Sequence, residues 1–470
     1  MNAMNKLAFS FMRRTLGLNK AAVAASKPAA AVPVSPDSHG RPATKFVFSF
    51  GVGGDGKLGH GDGDSQPRPK RISFLDGARI RSVSVGVQHS AAVVDEGGLG
   101  VLYGWGSNFY GQAGFATTDQ KMGSAAFFTS DDSDDLDAVE LPSRLKLLKP
   151  DAIDVDMRKV VCGDFHSAAL TKEGTLWTWG AGCLGRTDEL YDSNAILVPF
   201  FPEKERFVVD VKAAGTLTVA LAAPANSPST KEVYVWGYFQ DAEGHLRKST
   251  TPLLLADALK FDSISAFSTS SNTIAVAGTY KDGSSAVTLY GKWIKDYEQP
   301  MYPTFHEMQN VEQIYPYSPS ATISLNDVGF NAADIKDIVL FRDFGALLLH
   351  DGKLYGFAVP DISETAPTTL SKPYILLIDV QDISINQFGI LIRYAPDGAI
   401  HYHPTDSIEH LNASNIENIL AKLGGDILVE RGGTLVACGW DHALFAQDLN
   451  EDSGISVAEE NSPGDHKTSK

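Results

Sequence analysis

The stretch Val83-x-x-Gly86-x-x-His89-Ser90-x-Ala92-Val93 returns as Val160-x-x-Gly163-x-x-His166-Ser167-x-Ala169-Leu170. Each copy is followed, 13 to 16 residues after its His, by an apolar run that ends in Trp-Gly, at Trp105-Gly106 and at Trp179-Gly180. A unit of this size is too small to bury its own apolar face, so neighbouring units must stack to form a core. The repeat therefore predicts an array of similar units whose outer surface carries the function.

Five further copies follow the same template, of which the first four are weaker and the last is clear again. They are Val211-x-x-Ala214-x-x-Leu217-Thr218, closing on Trp236-Gly237; Ala266-x-x-Thr269-x-x-Asn272-Thr273; Phe344-Gly345-x-Leu347-Leu348; Phe388-Gly389-x-Leu391-Ile392; and Val436-x-x-Gly439-x-x-His442-Ala443. The positions equivalent to His89 recur on average about every 59 residues, which is the size of a propeller blade and not of a helical solenoid repeat. The count of seven units predicts seven blades.

Turn signals follow four of these units. They are Lys172-Glu173-Gly174, Asp282-Gly283, Asp351-Gly352 and Pro396-Asp397-Gly398. Asp-Gly between apolar runs is a strong hairpin signal, because both turn positions tolerate positive φ. These turns occur also in units that have lost the His, which supports counting them as repeats.

The last unit has no Trp-Gly strand of its own, whereas the run Phe46-Val47-Phe48-Ser49-Phe50-Gly51 has no upstream partner. Pairing the two ends would close the ring and remove exposed sheet edges. We therefore expect an all-β fold, a seven-bladed β-propeller over residues 46–449 that is closed by pairing the N-terminal strand, residues 46–50, with the C-terminal strands.

Three segments carry a family resemblance. They read Phe50-Gly51-x-Gly53-x-x-Gly56-x-Leu58-Gly59-His60-Gly61-Asp62, then Ile80-x-x-Val83-x-x-Gly86-x-x-His89-Ser90, then Trp105-Gly106-x-Asn108-x-x-Gly111-Gln112. Together they resemble the regulator of chromosome condensation repeat family. The resemblance is strong over 46–115, 158–186 and 436–446, and weak over 208–400. It implies a propeller that binds other proteins.

The N-terminal segment is basic and amphipathic. Residues 1–31 contain no acidic residue, and Leu7, Phe11, Arg14 and Leu18 fall at helical spacing. This composition is typical of a mitochondrial transit peptide, with a disordered basic tail as the alternative. We expect residues 1–45 to be transit peptide and linker, and the polar residues 450–470 to be a disordered tail. With a transit peptide the chain resembles the mitochondrial members of the family, and we expect it in the matrix or at the inner membrane.

The charge distribution argues against nucleic acid as a direct partner. The chain has a net charge of −17. Residues 1–45 carry seven Lys and Arg against one acid, so the remainder is more acidic than the whole. An acidic body lacks the counterion-release term that drives most nucleic-acid binding. No run of 18 apolar residues occurs, so no membrane span is predicted, although peripheral association with the inner membrane stays open.

The sequence signals no catalytic, cofactor or metal site. Gly51-Val52-Gly53-Gly54-Asp55-Gly56 matches a dinucleotide-binding pattern, but the glycines that follow exclude the helix that such a site needs. Cys162, Cys183 and Cys438 have neither disulfide nor metal spacing. The remaining repeat residues are expected to be structural, with each His held by backbone hydrogen bonds in its own blade and each Trp packed between blades; they are Gly86, His89, Trp105, Gly163, His166, Trp179, Trp236, Gly439 and His442.

Two insertions interrupt the repeat and could bind a partner. Residues 115–150 hold the acidic positions Asp131, Asp132, Asp134 and Asp135, and residues 292–334 hold the aromatic positions Trp293, Tyr297 and Tyr302. For the first, a solvated acidic loop is the favoured interpretation, because runs of like charge usually stay disordered. The second could equally cover a blade edge, although aromatic residues are enriched in interface cores.

Two functions remain open at this level. The first is a non-catalytic mitochondrial scaffold that assists assembly of the mitochondrial ribosome or of respiratory-chain complexes, as the resemblance to mitochondrial family members implies. The second is guanine-nucleotide exchange on a mitochondrial GTPase, as the best-known activity of the family implies. The partner is a protein in both cases, and neither function requires a cofactor.

Overall fold

The protein is a propeller of seven four-stranded antiparallel sheets. The computed structural model describes residues 44–115, 138–147, 155–186, 191–240, 246–291, 319–326, 328–359, 372–386, 389–404 and 426–449. Within these ranges the regular structure is almost entirely β, with one short helix and a few 3-10 turns. The prediction of an all-β, seven-bladed ring is confirmed.

The strands in chain order are β1 (Thr44–Gly51), β2 (Gln66–Arg71), β3 (Arg79–Val85), β4 (His89–Glu96), β5 (Leu99–Ser107), β6 (Ala138–Arg144), β7 (Met157–Cys162), β8 (His166–Thr171), β9 (Leu176–Ala181), β10 (Tyr191–Leu197), β11 (Arg206–Ala214), β12 (Leu217–Pro224), β13 (Glu232–Gln240), β14 (Leu246–Leu254), β15 (Phe261–Thr269), β16 (Thr273–Tyr280), β17 (Ser285–Gly291), β18 (Pro319–Ser324), β19 (Ile335–Phe341), β20 (Phe344–Leu349), β21 (Leu354–Ala358), β22 (Tyr374–Leu377), β23 (Val380–Asn386), β24 (Gly389–Tyr394), β25 (Ile400–Pro404), β26 (Asp426–Val429), β27 (Gly433–Cys438) and β28 (His442–Leu449). Helix α1 is Phe200–Glu203, and the 3-10 turns are Gly54–Gly56, Ser73–Leu75, Ala256–Lys260 and Ala332–Asp334.

Blades 1 to 6 each take four consecutive strands, from β3–β6 in blade 1 to β23–β26 in blade 6. Blade 7 combines both ends of the described chain, with the sheet order β2-β1-β28-β27. The first strand of each blade lies innermost, because β3, β7, β11, β15, β19, β23 and β27 contact one another in turn around the ring. These seven strands line a central channel.

Blade 7 closes the ring through a long antiparallel pairing. Strand β1 pairs with β28 from Thr44 opposite Leu449 to Gly51 opposite His442, without a register shift. Phe48 stacks on Phe445 across this pair, with ring centroids 5.1 Å apart. The predicted closure by an N-terminal strand is thus confirmed, and it leaves neither β1 nor β28 as an open edge.

Tight turns join the second and third strands of the middle blades. The glycines of the four predicted turns, Gly174, Gly283, Gly352 and Gly398, all have positive φ, between 78° and 86°. Each of these glycines lies between two paired strands, as the apolar runs on either side of it in the sequence predict. Only glycine takes this backbone conformation at little cost, which explains why the turn signal survives where the His is lost.

The apolar core lies between neighbouring blades. Trp105, Trp179 and Trp236 are at most 1% exposed. Each indole ring lies against a glycine in a connection of the preceding blade: Gly59, Gly114 and Gly185, where an added Cβ would come within 2.9 to 3.2 Å of the indole Nε1. The large rings therefore fill the wedge between blades, and the glycines leave space for them.

The two insertions are narrower than the sequence indicates. Strand β6 lies inside the predicted insertion 115–150, and β18 lies inside 292–334. Both are the fourth strands of their blades, and their apolar pattern is too short to identify them from sequence. The candidate residues Asp131, Asp132, Asp134, Asp135, Trp293, Tyr297 and Tyr302 lie outside the described residues, as does Phe388.

The antiparallel order of the blades separates the connections into two faces. The turns between first and second strands and the connections between third and fourth strands share one side, which we call the loop face. The turns between second and third strands and the links from one blade to the next share the other side, the hairpin face. The ends of the described chain, before β1 and after β28, also lie at the hairpin face.

Candidate functional site

The repeated histidines form bridges between blades. The Nε2 atom of His89 is hydrogen-bonded to Ser167 Oγ at 2.8 Å, and that of His166 to Thr218 Oγ1 at 2.7 Å. His442 makes the same bond to Ser90 Oγ at 3.1 Å. Each hydroxyl belongs to the next blade, so the bridges join blades 7, 1, 2 and 3. From the sequence we expected backbone hydrogen bonds within each blade to hold the imidazole rings. This was wrong, because each ring is bonded to a side-chain hydroxyl of the next blade.

The glycine of the motif is required by this bridge. A Cβ on Gly86 would lie 2.5 Å from His89 Cε1 and 2.5 Å from the carbonyl oxygen of Gly163 in the next blade. A Cβ on Gly439 would lie 2.1 Å from the carbonyl oxygen of Gly86. Real Cβ atoms do not approach other atoms so closely, so only glycine fits at these positions. The Gly-x-x-His spacing therefore reflects a close contact between neighbouring blades.

The bridges end after blade 3. There Leu217 occupies the histidine position, and Ile274 occupies the position of the hydroxyl residue in blade 4; both belong to one apolar cluster. The glycine position of blade 3 holds Ala214. The degenerate repeats of the sequence therefore correspond to blades that are packed together without this polar link.

Burial makes the bridging rings unsuitable for acid–base chemistry. The pKa of His89 is lowered to about 3, and the pKa values of His166 and His442 to about 4, mainly because burial disfavours the charged imidazolium. Asp441, His442 and Ser90 line up in the order of a catalytic triad, with Asp441 Oδ1 3.2 Å from His442 Nδ1. However, Ser90 is fully buried and donates to the carbonyl oxygen of Lys57, so no substrate can reach it.

A buried ion pair completes the closure of the ring. Lys57 Nζ lies 2.7 and 2.9 Å from the two carboxylate oxygens of Asp441. Lys57 follows β1, and Asp441 immediately precedes β28. This pair and the bond from Ser90 to Lys57 fix the connection after β1 to blades 7 and 1.

The central channel contains paired charges. Lys159 Nζ is 2.7 Å from Asp210 Oδ1, and Lys212 reaches past blade 4 to Asp337 in blade 5. The pKa of Asp382 is raised to about 6 by burial, although Arg393 opposes the shift. Among the described residues no three His, Cys, Asp or Glu side chains are placed to hold a metal ion. The charged side chains of the channel thus form a structural network.

The loop face carries an aromatic group between blades 1 and 2. Phe109, Tyr110 and Phe165 form it, with ring centroids 4.9 Å apart for Phe109 and Tyr110 and 4.7 Å for Tyr110 and Phe165. Phe109 is 37% exposed. Phe165 occupies one of the two variable positions between the motif Gly163 and His166. We call these three residues the aromatic patch; the sequence analysis missed it, because contacts between two separate turns leave no local pattern.

The connections that leave the loop face have an acidic excess in their sequence. The seven connections between third and fourth strands are residues 52–65, 108–137, 182–190, 241–245, 292–318, 359–373 and 405–425. Each has more Asp and Glu than Lys and Arg in its sequence. By contrast, the turns between second and third strands mostly balance their charges, as in Lys172-Glu173 and Lys281-Asp282. The strand order therefore makes every one of these connections begin and end at the same side of the ring.

Comparison with known proteins identifies the repeat. A family model described as the regulator of chromosome condensation (RCC1) repeat matches residues 46–93 and 100–170, and a second with the same description matches 80–112 and 157–186. The chain is 34% identical over 154 residues to the ultraviolet-B receptor UVR8 of Arabidopsis thaliana, covering 33% of this chain and 29% of that protein. It is 32% identical over 156 residues to the RCC1 domain-containing protein RUG3, mitochondrial, of the same plant, covering 33% and 31%.

Solved structures share the whole ring. Human WBSCR16 has a TM-score of 0.57 at 17% identity and covers 87% of this chain and 99% of its own. Prp20p of Saccharomyces cerevisiae has a TM-score of 0.56 at 15% identity and covers 87% and 93%. At these identities the likeness shows the fold alone.

The described part of the chain contains no helix of the length and apolarity needed to span a bilayer. The alignments with UVR8 and RUG3 span less than a third of the length of either relative.

Proposed function

The chain is a seven-bladed propeller that carries regulator of chromosome condensation repeats, and on this basis we propose that it is a non-catalytic interaction scaffold in mitochondria. It assists assembly of the mitochondrial ribosome or of respiratory-chain complexes. The observation that carries the proposal is the two-sided ring, in which all seven connections between third and fourth strands leave from one face. A rigid scaffold that presents its long connections on one side is suited to hold a partner.

The mitochondrial location is supported by two independent features. One is the acid-free, amphipathic segment of residues 1–31, which fits a transit peptide. The other is the match to a relative that is named mitochondrial. We place the protein in the matrix, with peripheral contact to the inner membrane.

Two segments of the sequence, one acidic and one aromatic, fit the same proposal. The segment with Asp131, Asp132, Asp134 and Asp135 connects β5 to β6, and the segment with Trp293, Tyr297 and Tyr302 connects β17 to β18. Both segments therefore begin and end at the loop face. We propose them as contacts for the protein partner.

Affinity purification of the full chain from mitochondria, followed by mass spectrometry, tests the scaffold. We expect ribosomal or respiratory-assembly proteins to be enriched over a purification of an unrelated matrix protein. Exclusion of the tagged chain from mitochondria, or enrichment of neither class, would contradict the proposal.

Guanine-nucleotide exchange is the second candidate. It is supported by the likeness of the ring to yeast Prp20p, whose structure was described together with its binding to Gsp1p. Exchange requires only that the propeller bind the nucleotide-free GTPase best. Release of a fluorescent GDP from purified matrix GTPases tests it; acceleration by the propeller would favour exchange over the simple scaffold.

A further inference from the structure

We propose that the protein self-associates through β22, the outermost strand of blade 5, which pairs antiparallel with β22 of a second copy. The proposal goes beyond the scaffold function and does not depend on it. It is carried by the apolar side chains that this strand exposes, by the character of its outer edge and by the opposite charges at its two ends.

Strand β22 exposes an unbroken apolar run. It reads Tyr374-Ile375-Leu376-Leu377 and continues into Ile378. None of these five side chains is buried, and Ile375 and Ile378 are 53% and 59% exposed. Leu376 and Leu377 pack against the core between blades 5 and 6, so the run extends that core to the surface. An exposed apolar edge strand is a site where another strand can add to the sheet.

The outer edge of β22 differs from the other edges of the ring. It is the last strand in the sheet order β19-β20-β21-β22. The outermost strands β2, β6, β14 and β18 contain proline, which cannot donate a hydrogen bond to a further strand. Strand β10 is bridged by Leu147, and β26 includes the charged Asp426. Among the outermost strands of the described chain, β22 is thus the one composed of apolar residues alone.

The charges that flank the apolar run favour a second copy as the partner. Lys372 precedes the run and Asp379 follows it, and both side chains are exposed. At a separation of about 23 Å along an extended strand, they cannot pair within their own segment. Antiparallel pairing of two copies brings the Lys372 end of each beside the Asp379 end of the other. This gives one attraction at each end of a two-fold interface, whereas parallel pairing would place like charges together.

The size and charge of the contact set its strength. Each copy has a net charge of −17, so long-range repulsion opposes self-association and the apolar run must supply most of the attraction. One strand from each copy forms an interface at the small end of the range for proteins. We therefore expect a reversible dimer with a dissociation constant of about 1–100 µM.

Sedimentation velocity of the purified full chain tests the dimer, over about 1–100 µM protein and near 0.15 M salt, where the Debye length is about 8 Å. We expect dimerisation that depends on concentration. Ile375→Lys should weaken it about tenfold or more, because a charged side chain on an edge strand opposes strand addition. The matched control Ile427→Lys changes a similarly exposed isoleucine on β26 of blade 6, and it should change the dissociation constant less than about twofold.

Reversal of the flanking charges tests the antiparallel arrangement. Lys372→Glu brings two acids together at each end of the interface, and Asp379→Lys brings two bases together, so each variant alone should dimerise about tenfold more weakly. An equimolar mixture of the two variants should dimerise within about threefold of the original protein, because the mixed dimer has opposite charges at both ends. The control pair is Asp262→Lys and Lys281→Glu, which reverses exposed charges of blade 4 outside the outermost strands and should change nothing, alone or mixed. Circular dichroism melting checks that each variant is folded.

Amide hydrogen exchange distinguishes strand pairing from a contact of side chains alone. Exchange in residues 374–378 should slow as the protein concentration rises, because new backbone hydrogen bonds form along the edge. An exchange rate that does not depend on concentration would overturn the proposal. A monomer at the highest concentration, full association of Ile375→Lys, equal loss in Ile427→Lys, or a mixture of charge variants that associates no better than either alone would also overturn it.

Discussion

At the scale of single residues, the motif glycine and histidine depend on each other. The imidazole of His166 occupies the place that a Cβ on Gly163 would need, 2.2 Å from Cε1. Blades 1, 2 and 7 have both residues, whereas blade 3 has Ala214 and Leu217 in their places. The two positions therefore behave as one structural unit, which is kept or lost together.

A double-mutant cycle in blade 3 tests this dependence. Leu217→His alone should destabilise the protein, because the new ring meets the Ala214 methyl group. In an Ala214→Gly background Leu217→His should cost about 1–3 kcal/mol less of the free energy of unfolding, because the ring no longer overpacks against the methyl group. Urea unfolding of the four proteins measures the coupling. Additive effects of the two changes would contradict it.

The buried histidines also predict a pH dependence. A histidine in an unfolded chain has a pKa of about 6.5, whereas the pKa is about 3 for folded His89 and about 4 for folded His166 and His442. The folded state binds fewer protons, so the stability that these rings contribute is fully present above pH 6.5 and is lost as the pH falls towards 4. When the pH falls from about 7.5 to about 6.0, the three rings together should lower the free energy of unfolding by about 2 kcal/mol.

Urea unfolding at these two pH values avoids the isoelectric region, since the sequence pI is about 5.1. The matched variant is His166→Leu with Thr218→Val, which copies the leucine of blade 3 and removes both bridge partners. It should lose about a quarter of the pH dependence, because His60, whose pKa is also lowered to about 4, adds a fourth contribution of similar size. An unchanged pH slope would show that groups other than the bridges dominate.

At the scale of elements, strand β1 closes the ring. It completes blade 7 by pairing with β28 along its whole length, and it carries Val47 and Phe50 into the core. The Lys57–Asp441 ion pair then fixes the following connection. Without β1, both β28 and β2 would present unpaired backbone groups at an open edge.

Two N-terminal truncations test the role of β1. Removal of residues 1–43 should leave the thermal midpoint within a few degrees of the full chain, because it removes no described strand. Removal of residues 1–51 should abolish the cooperative transition, because it removes β1 and opens blade 7. Circular dichroism melting compares the two proteins. A cooperative transition of similar midpoint in the shorter protein would show that the ring does not depend on this strand.

Much of this architecture could be predicted from the sequence, for physical reasons. Val-x-x-Gly-x-x-His and Asp-Gly are local signals, so they identified seven units, their hairpin turns and the closing strand. The bridge partners could not be predicted, because His89 and Ser167 are 78 residues apart and Ser90 and His442 are 352 apart. It could not be predicted either that all the acidic connections begin and end at one face, because this depends on where the strands begin and end. Two of those strands, β6 and β18, lie inside the predicted insertions.

At the scale of the whole molecule, the propeller is asymmetric in two ways. Around the ring, histidine bridges join blades 7, 1, 2 and 3 and are absent between blades 3 and 4. Across the ring, the aromatic patch lies on the loop face and the acidic connections begin and end there, whereas the ends of the described chain lie on the hairpin face. A scaffold can thus be held from one side while the other side stays free for a partner.

Insertion of a small folded domain into blade 3 tests this division. Residues 241–245 join β13 to β14, which end and begin at the loop face, whereas residues 225–231 join β12 to β13 at the hairpin face of the same blade. An insertion in 241–245 should shift the protein from large complexes to the free fraction in a gradient of mitochondrial lysate, because it obstructs the binding face. The same domain in 225–231 should leave sedimentation unchanged, and equal melting temperatures of the two purified proteins serve as the folding control. Loss of complexes from the 225–231 insertion alone would assign binding to the hairpin face, where the closely spaced tight turns would then have to supply the contacts.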